Sequence, residues 1–262
     1  MNLESQKNMF ILLGFESVEI GFSMDNVSYR YARVSQSVKY TLRQCGRENG
    51  AVTIVGVTKA LPFQIAVAGV QSGIYNLGES RVQEASEKIP VMMEFLKQHQ
   101  VDVSELTWHM IGKLQSNKAA KAARLFDVIH SVDSDKTARK LSSAAVDEGK
   151  VLRVFVEVNT SQESQKGGVP VNSAHEFVTG LSDLENLYIA GLMTIAPRSD
   201  DQGIILKSFR TLRELNDTIA ANIDDLHYGR QLSMGMSSDY RLAIREGATV
   251  VRVGSAIFGP RP

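Results

Sequence analysis

The sequence predicts an α/β protein folded as one (β/α)8 barrel, and three observations carry the prediction. Short runs rich in valine and isoleucine alternate with helical stretches from residue 52 to the end. Eight such units follow one another, the last ending with the chain. No GxGxxG follows the first strand, as a doubly wound dinucleotide-binding sheet would require. Strands that alternate with helices pair in parallel through right-handed crossovers, and eight units point to closure.

The elements follow in order. A first helix is expected over 28–49, where Val34, Val38 and Leu42 recur about every four residues. Strands are expected at 52–57 (VTIVGV), 74–77 (IYNL), 107–111 (TWHMI) and 127–130 (DVIH), then at 151–158 (VLRVFVEV), 187–193 (LYIAGLM), 231–234 (QLSM) and 249–253 (TVVRV). Helices fill the gaps near 62–71, 81–97, 116–125, 134–148, 171–182, 202–222 and 238–246. Pro62, Ser80, Ser116 and Ser134 stand where caps or first-turn residues belong. Residues 1–27 differ from the rest and are expected to form an N-terminal extension. Residues 28–262 form the barrel domain on this reading.

Composition narrows the function classes. Lysine plus arginine equals aspartate plus glutamate at 29 each, so no global field recruits nucleic acid or an anionic membrane. No apolar run approaches the roughly 18–20 residues needed to span a bilayer. The stretch MFILLGF at 9–15 is followed by Glu16 and Glu19 without a small-residue cleavage site, so export is not predicted. Cys45 is the single cysteine, which excludes an intrachain disulfide and fits a reducing, cytoplasmic compartment. The five histidines show no metal-ligand spacing, and no zinc site is expected.

In a barrel of this type the reactive groups gather past the C-terminal strand ends. The sequence places Lys59 after strand one, Glu79 and Ser80 after strand two, and His109 near the end of strand three. Met193 and Thr194 end strand six, while Ser233, Gly235, Met236 and Ser237 end strand seven. Arg252, Gly254 and Ser255 end strand eight. A lysine at a barrel mouth either carries its charge out to water or serves as an amine for Schiff-base chemistry. Class I aldolases and pyridoxal-phosphate proteins both use such a lysine. Two Gly-Ser pairs on the final strands supply backbone amides suited to a phosphate. A ligand with an aldehyde at one end and a phosphate at the other is pyridoxal 5′-phosphate. Glu79 either orients a neighbour or stabilises the start of the helix that follows.

The segments VGVTKALP, NLGESRVQEASEKI, WHMIGKLQSNK, GLMTIAP and LSMGMSSDYRLAIREGATVVRVGSAIFG resemble those of the pyridoxal phosphate homeostasis proteins, in the same order, over roughly 28–260. That family is similar to the barrel domain of alanine racemase, the fold type III of pyridoxal-phosphate proteins. The resemblance implies that Lys59 holds the cofactor as a Schiff base. It implies phosphate contacts around Ser233, Gly235, Met236, Gly254 and Ser255, and Arg252 facing the pyridine nitrogen. His109 and Met193 match pocket-wall positions. Ser80 stands where the family usually has asparagine, and its shorter side chain cannot reach as far.

A cation beside the ring nitrogen disfavours its protonation, and an unprotonated ring is a poorer electron sink. The racemases add a catalytic tyrosine from the partner subunit, for which this chain shows no equivalent. The resemblance therefore implies a non-catalytic protein of vitamin B6 homeostasis that holds the cofactor and exchanges it with pyridoxal-phosphate-dependent apoenzymes; without the racemases' second domain and the dimer interface it brings, a monomer is expected. A racemase-like enzyme is the alternative reading. Lys118 and Lys166, in loops near the rim, are candidates to accept the aldehyde during transfer.

Overall fold

The computed structural model describes residues 24–48, 50–161, 163, 165–223 and 228–260. Residues 1–23 of the expected extension lie outside the described residues. The first helix, α1, spans Met24–Gln44. It therefore begins inside the expected extension and ends before the expected residue 49, at a turn where Gly46 takes φ 65°. The remaining elements are β1 (Thr53–Val57), α2 (Phe63–Gln71), β2 (Asn76–Glu79), α3 (Val82–Gln98), β3 (Thr107–Met110), α4 (Ala119–Leu125), β4 (Val128–Val132) and α5 (Asp135–Asp147). Then come β5 (Leu152–Asn159), the two-residue β6 (Val169–Pro170), α6 (Ala174–Leu181), β7 (Leu187–Met193), α7 (Gln202–Ala220), β8 (Tyr228–Met236), α8 (Tyr240–Arg245), β9 (Val250–Val253) and a final turn of helix, α9 (Ser255–Phe258).

Every strand pairing is parallel, in the order β4-β3-β2-β1-β9-β8-β7-β5, and β4 also pairs with β5, so the sheet closes. The expected eight-stranded barrel is present. β6 lies outside the ring, paired with the last two residues of β5, and was not expected.

Three strands depart from the sequence reading by two residues or more. β2 starts at Asn76 rather than Ile74, because Ile74 still belongs to the end of α2. Its N–H bonds to the Gly69 carbonyl at 3.0 Å, closing the helix. Its side chain packs between Gly56, Gly69 and Phe258 on the barrel's outer wall. β4 runs on to Val132, which puts Ser131 inside the strand. β8 is longer than expected at both ends. The caps also differ: Arg81, not Ser80, holds the N-cap of α3, and Ser134 caps α5 without a side-chain bond to the backbone. The Asp201 carboxylate caps α7 by accepting from the Gly203 N–H at 2.7 Å.

The core has two parts. The larger lies between the barrel's outer face and its helices. Val27, Val34, Val38 and Leu42 line one face of α1, which packs against α8 and α9. Each such aliphatic side chain, removed from water, contributes about 1.5–3 kcal/mol. The smaller part fills the barrel interior: Val55, Val128, Phe155, Ala190, Met193 and Val250, with Tyr188 packed against them. This plug makes the barrel a solid core and confines open chemistry to the ends. No described helix is long and apolar enough to cross a membrane.

Candidate functional site

The turn after β1 is held from behind by an ionic cluster. Parallel pairing sets Val57 against Gly78 of β2 and Gly56 against Val253 of β9. The half-buried Lys59, two residues past β1, is thus flanked by the ends of β2 and β9. Thr58 donates its hydroxyl to Glu79 Oε1 at 2.7 Å. Lys88 Nζ, reaching in from α3, bonds to Glu79 Oε1 at 2.8 Å, Glu84 Oε1 at 2.8 Å and the Thr58 carbonyl at 2.9 Å. Glu84 in turn accepts the Ala60 N–H at 2.6 Å. Ala60 sits at φ 57°, a left-handed conformation that costs an L-residue about 1 kcal/mol. The turn that presents Lys59 is therefore strained and pinned on both sides of the lysine.

Glu79 has no exposed surface, and its Oε2 has no partner among the described residues. Burial pushes its carboxyl up, against the pull of the Lys88 ammonium and the Thr58 hydroxyl. Of the two roles left open for Glu79, the structure supports the first, since it orients Thr58 and Lys88.

The ends of β8 and β9 form a second rim feature. Gly235 takes φ 94°, and a Cβ there would stand 2.6 Å from the Ala243 Cβ and 2.9 Å from the Tyr240 Cα. Only glycine fits a strand end pressed this close to α8. Beyond it the backbone amides turn toward small polar groups. The Met236 N–H donates to the Asp239 carboxylate at 2.5 Å. The Ser237 Oγ accepts from the Gly254 N–H at 3.1 Å and the Ala256 N–H at 3.3 Å. Two amides from the end of β9 thus meet on the Ser237 hydroxyl, and the last amide of β8 is held by the Asp239 carboxylate on the same rim.

Arg252 lies just below this rim and is buried. Its Nη1 donates to the Ser233 carbonyl at 2.8 Å and the Ser233 Oγ at 2.6 Å, and its Nη2 donates to the Thr194 carbonyl at 3.0 Å. Burial lowers its pKa to about 10, with the Glu157 and Asp239 carboxyls working in the other direction, so it stays cationic near neutrality. Glu157 and Asp239 are themselves pushed up, chiefly by burial.

From Ser233 a line of polar groups crosses the barrel. The Ser233 Oγ lies 2.8 Å from His130 Nδ1, His130 Nε2 lies 2.9 Å from His109 Nδ1, and His109 Nε2 lies 3.0 Å from Asn76 Oδ1. The His130 ring stacks on Phe155 with centroids 4.6 Å apart. Burial drives the His109 pKa down to about 3, helped by Arg153. His130 is also pushed well down, by burial first and then by His109, Arg252 and Arg153.

The expected residues fall into three places. Lys59, Ser80, Gly235, Met236, Gly254 and Ser255 lie at the C-terminal mouth. Ser233, Arg252 and His109 form the polar line beneath it. Met193 is buried in the interior plug, packed among apolar neighbours. The backbone of Ser80 presses against Gly112, where a Cβ would stand 2.3 Å from the Ser80 carbonyl oxygen. Lys166 is tied to Glu163 at 2.6 Å.

Sequence reasoning missed Lys88, which reads as one of many helix-surface lysines, and His130, which reads as a strand residue. The one signal for His130 was its place on a strand next to that of His109, which does not name Ser233 as its partner. His109 and His130 occupy neighbouring parallel strands, each flanked by residues that alternate outward. A cavity of about 680 Å3 lies toward the other end of the barrel, lined in part by Arg47, Arg213 and Arg230. Arg47 there bonds the Ile244 and Ala248 carbonyls, and Arg213 pairs with Glu246, so these cations hold the fold together.

Comparison with known proteins agrees with this fold. Residues 35–262 match the family model for the alanine racemase N-terminal domain. The pyridoxal phosphate homeostasis protein of Vibrio alginolyticus is 34% identical over 238 residues, covering 91% of this chain and 99% of that protein. A crystal structure of an unknown protein from Bifidobacterium adolescentis superimposes with a TM-score of 0.83 at 34% identity, covering 90% of this chain and 95% of that one. The structure of PipY from Synechococcus elongatus PCC7942 with PLP bound gives a TM-score of 0.75 at 33% identity, covering 89% of this chain and 100% of PipY. By its sequence, its barrel and the extent of these matches, the chain belongs to the pyridoxal phosphate homeostasis protein family, within the alanine racemase N-terminal-domain group.

Proposed function

We propose that this chain binds pyridoxal 5′-phosphate through Lys59 and holds it without turning over a substrate, as part of vitamin B6 homeostasis in the cytoplasm. The observation that carries the reading is the convergence at one barrel mouth of Lys59, the amides of Met236, Gly254 and Ala256, and the buried Arg252 cation. The donor set suits a phosphorylated aldehyde. The Gly254 and Ala256 amides bond to Ser237, whose own hydroxyl hydrogen can donate to a phosphate beside them. Its relatives' names and the PLP-bound PipY structure support the same assignment.

When bound, the cofactor supplies an aldehyde that condenses with amines and a ring that accepts electrons. The Lys59 amine is the group placed to take the aldehyde carbon, with loss of water. The Ser237 hydroxyl and the neighbouring amides would hold its phosphate oxygens. Arg252, cationic and fixed by Ser233 and Thr194, disfavours a second positive charge on a nitrogen beside it. His109 and His130 are neutral and both committed to the interior line, so neither is a ready proton donor at the mouth. These features favour storage and delivery to cofactor-requiring apoenzymes over catalysis.

The test is an absorption spectrum of the purified protein with pyridoxal phosphate, before and after borohydride, followed by peptide mapping. A visible Schiff-base band that Lys59→Ala abolishes, with the reduced adduct on Lys59, is expected. An adduct on another lysine would overturn the assignment. Solvent deuterium entering the α-carbon of an amino acid with steady turnover would favour the racemase-like alternative.

A further inference from the structure

The polar line inside the barrel has a direction. Arg252 only donates, so the Ser233 Oγ accepts from Nη1 at 2.6 Å. Asn76 Oδ1 only accepts, so His109 Nε2 carries a hydrogen. A neutral imidazole has a single N–H, which leaves His109 Nδ1 bare. His130 Nε2 must then donate to it across 2.9 Å. His130 Nδ1 is bare in turn, and the Ser233 hydroxyl donates to it across 2.8 Å. The order is closed: Arg252 to Ser233, Ser233 to His130, His130 to His109, His109 to Asn76.

An amide flip at Asn76 would reverse the histidine links and put both ring hydrogens on Nδ1. The Ser233 Oγ would then accept twice, and its own hydrogen would have no acceptor among the described residues. Buried hydroxyl hydrogens find partners, which favours the first order.

We propose that His130 is a positioning residue: by taking the Ser233 hydroxyl hydrogen, it turns the Ser233 lone pairs to the guanidinium and sets how Arg252 presents itself to the cofactor site. Arg252 spends both Nη1 hydrogens and one Nη2 hydrogen on Ser233 and Thr194. The Nε–H and the other Nη2 hydrogen have no acceptor among the described residues. The fixed side of the guanidinium decides where the unspent side points. Phe155 stacked on the His130 ring holds the pivot. The retention part of this inference rests on the cofactor-holding reading; the order of hydrogens does not.

Two variants separate positioning from general support. The asparagine of His130→Asn places a carboxamide oxygen near the Nδ1 edge and keeps the Ser233 link. The glutamine of His130→Gln reaches the Nε2 edge and loses that link. Nitrogen-15 NMR of the cofactor-free wild-type protein is expected to show both rings protonated at Nε2, and Nδ1–H forms would overturn the order. The Arg252 side-chain signals are expected to move in His130→Gln and stay in His130→Asn. Pyridoxal phosphate is expected to leave His130→Gln about tenfold faster than wild type, the cost of one lost buried hydrogen bond. His130→Asn is expected to stay within about threefold.

Equal release and equal Arg252 shifts in the two variants would reduce His130 to a packing residue. If His130→Gln does not fold, His130→Phe, which keeps a ring on Phe155 and removes both ring nitrogens, takes its place. A wild-type protein that binds no pyridoxal phosphate would sink the functional reading alone, because the two NMR measurements still decide the positioning role.

Discussion

Two buried polar networks support the barrel mouth, and they are built on opposite principles. Behind the β1 turn, the Lys88 ammonium lies 2.8 Å from a carboxyl oxygen of Glu79 and 2.8 Å from one of Glu84, an ionic cluster. Under β8 and β9, His109, His130 and Ser233 are neutral, and only Arg252 is charged. A charged cluster holds its place through pair attraction and fails badly when one member is removed, because the rest are left as unpaired buried charges. A neutral line costs less to bury but depends on every hydrogen facing the right way. The first network fixes backbone, the turn that carries Lys59. The second fixes the orientation of a side chain, Arg252.

The comparison is broken most sharply by Lys88→Met. With its ammonium gone, Glu79 stays fully buried without its cation, and a loss of about 3–5 kcal/mol is expected in denaturant unfolding. Cofactor binding should fall with it, because Ala60 and Thr58 lose their common anchor. A loss below about 1 kcal/mol would mean that the cluster is incidental.

A smaller effect separates the two networks by pH. The His109 pKa is lowered to about 3 in the fold, and that of His130 is lowered as well, against an unfolded value near 6.5. Below the unfolded value the unfolded chain binds more protons, so this contribution to stability falls as pH drops from about 6.5 and levels off below the folded pKa. The Glu79 carboxyl is raised, which works oppositely: its contribution falls as pH rises through the window above the unfolded carboxylate value. The wild-type protein minus His130→Asn is therefore expected to show a stability difference that shrinks toward acid. A difference flat from pH 7 to about 4 would mean that His130 does not stay neutral in the fold.

The smallest change is Thr58→Val, which keeps the shape and removes one donor to Glu79 Oε1. A loss of about 1–2 kcal/mol is expected by thermal unfolding, with Lys88 still in place. A loss as large as that of Lys88→Met would mean that the hydroxyl, not the ammonium, anchors the turn.

Much of the fold was legible because it repeats a simple pattern: β-branched runs, helical spacing, and Pro or Gly between them. The boundaries that slipped did so where tertiary packing overrode local pattern. Ile74 looks like strand and serves as a helix-closing residue. Lys59, Gly235 and Gly254 were visible because their positions follow from strand ends. His130 and Lys88 were not, because their partners lie far away in sequence: Ser233 is 103 residues from His130, and Thr58 is 30 from Lys88. Only closure of the barrel brings such pairs together, and no periodicity announces it.

The hydroxyl of Ser237 already satisfies two amides of the last loop. A depot that must surrender what it carries gains from such an arrangement. On the cofactor-holding reading, release would leave the Gly254 and Ala256 amides bonded to Ser237, and the lip of the vessel would keep its shape.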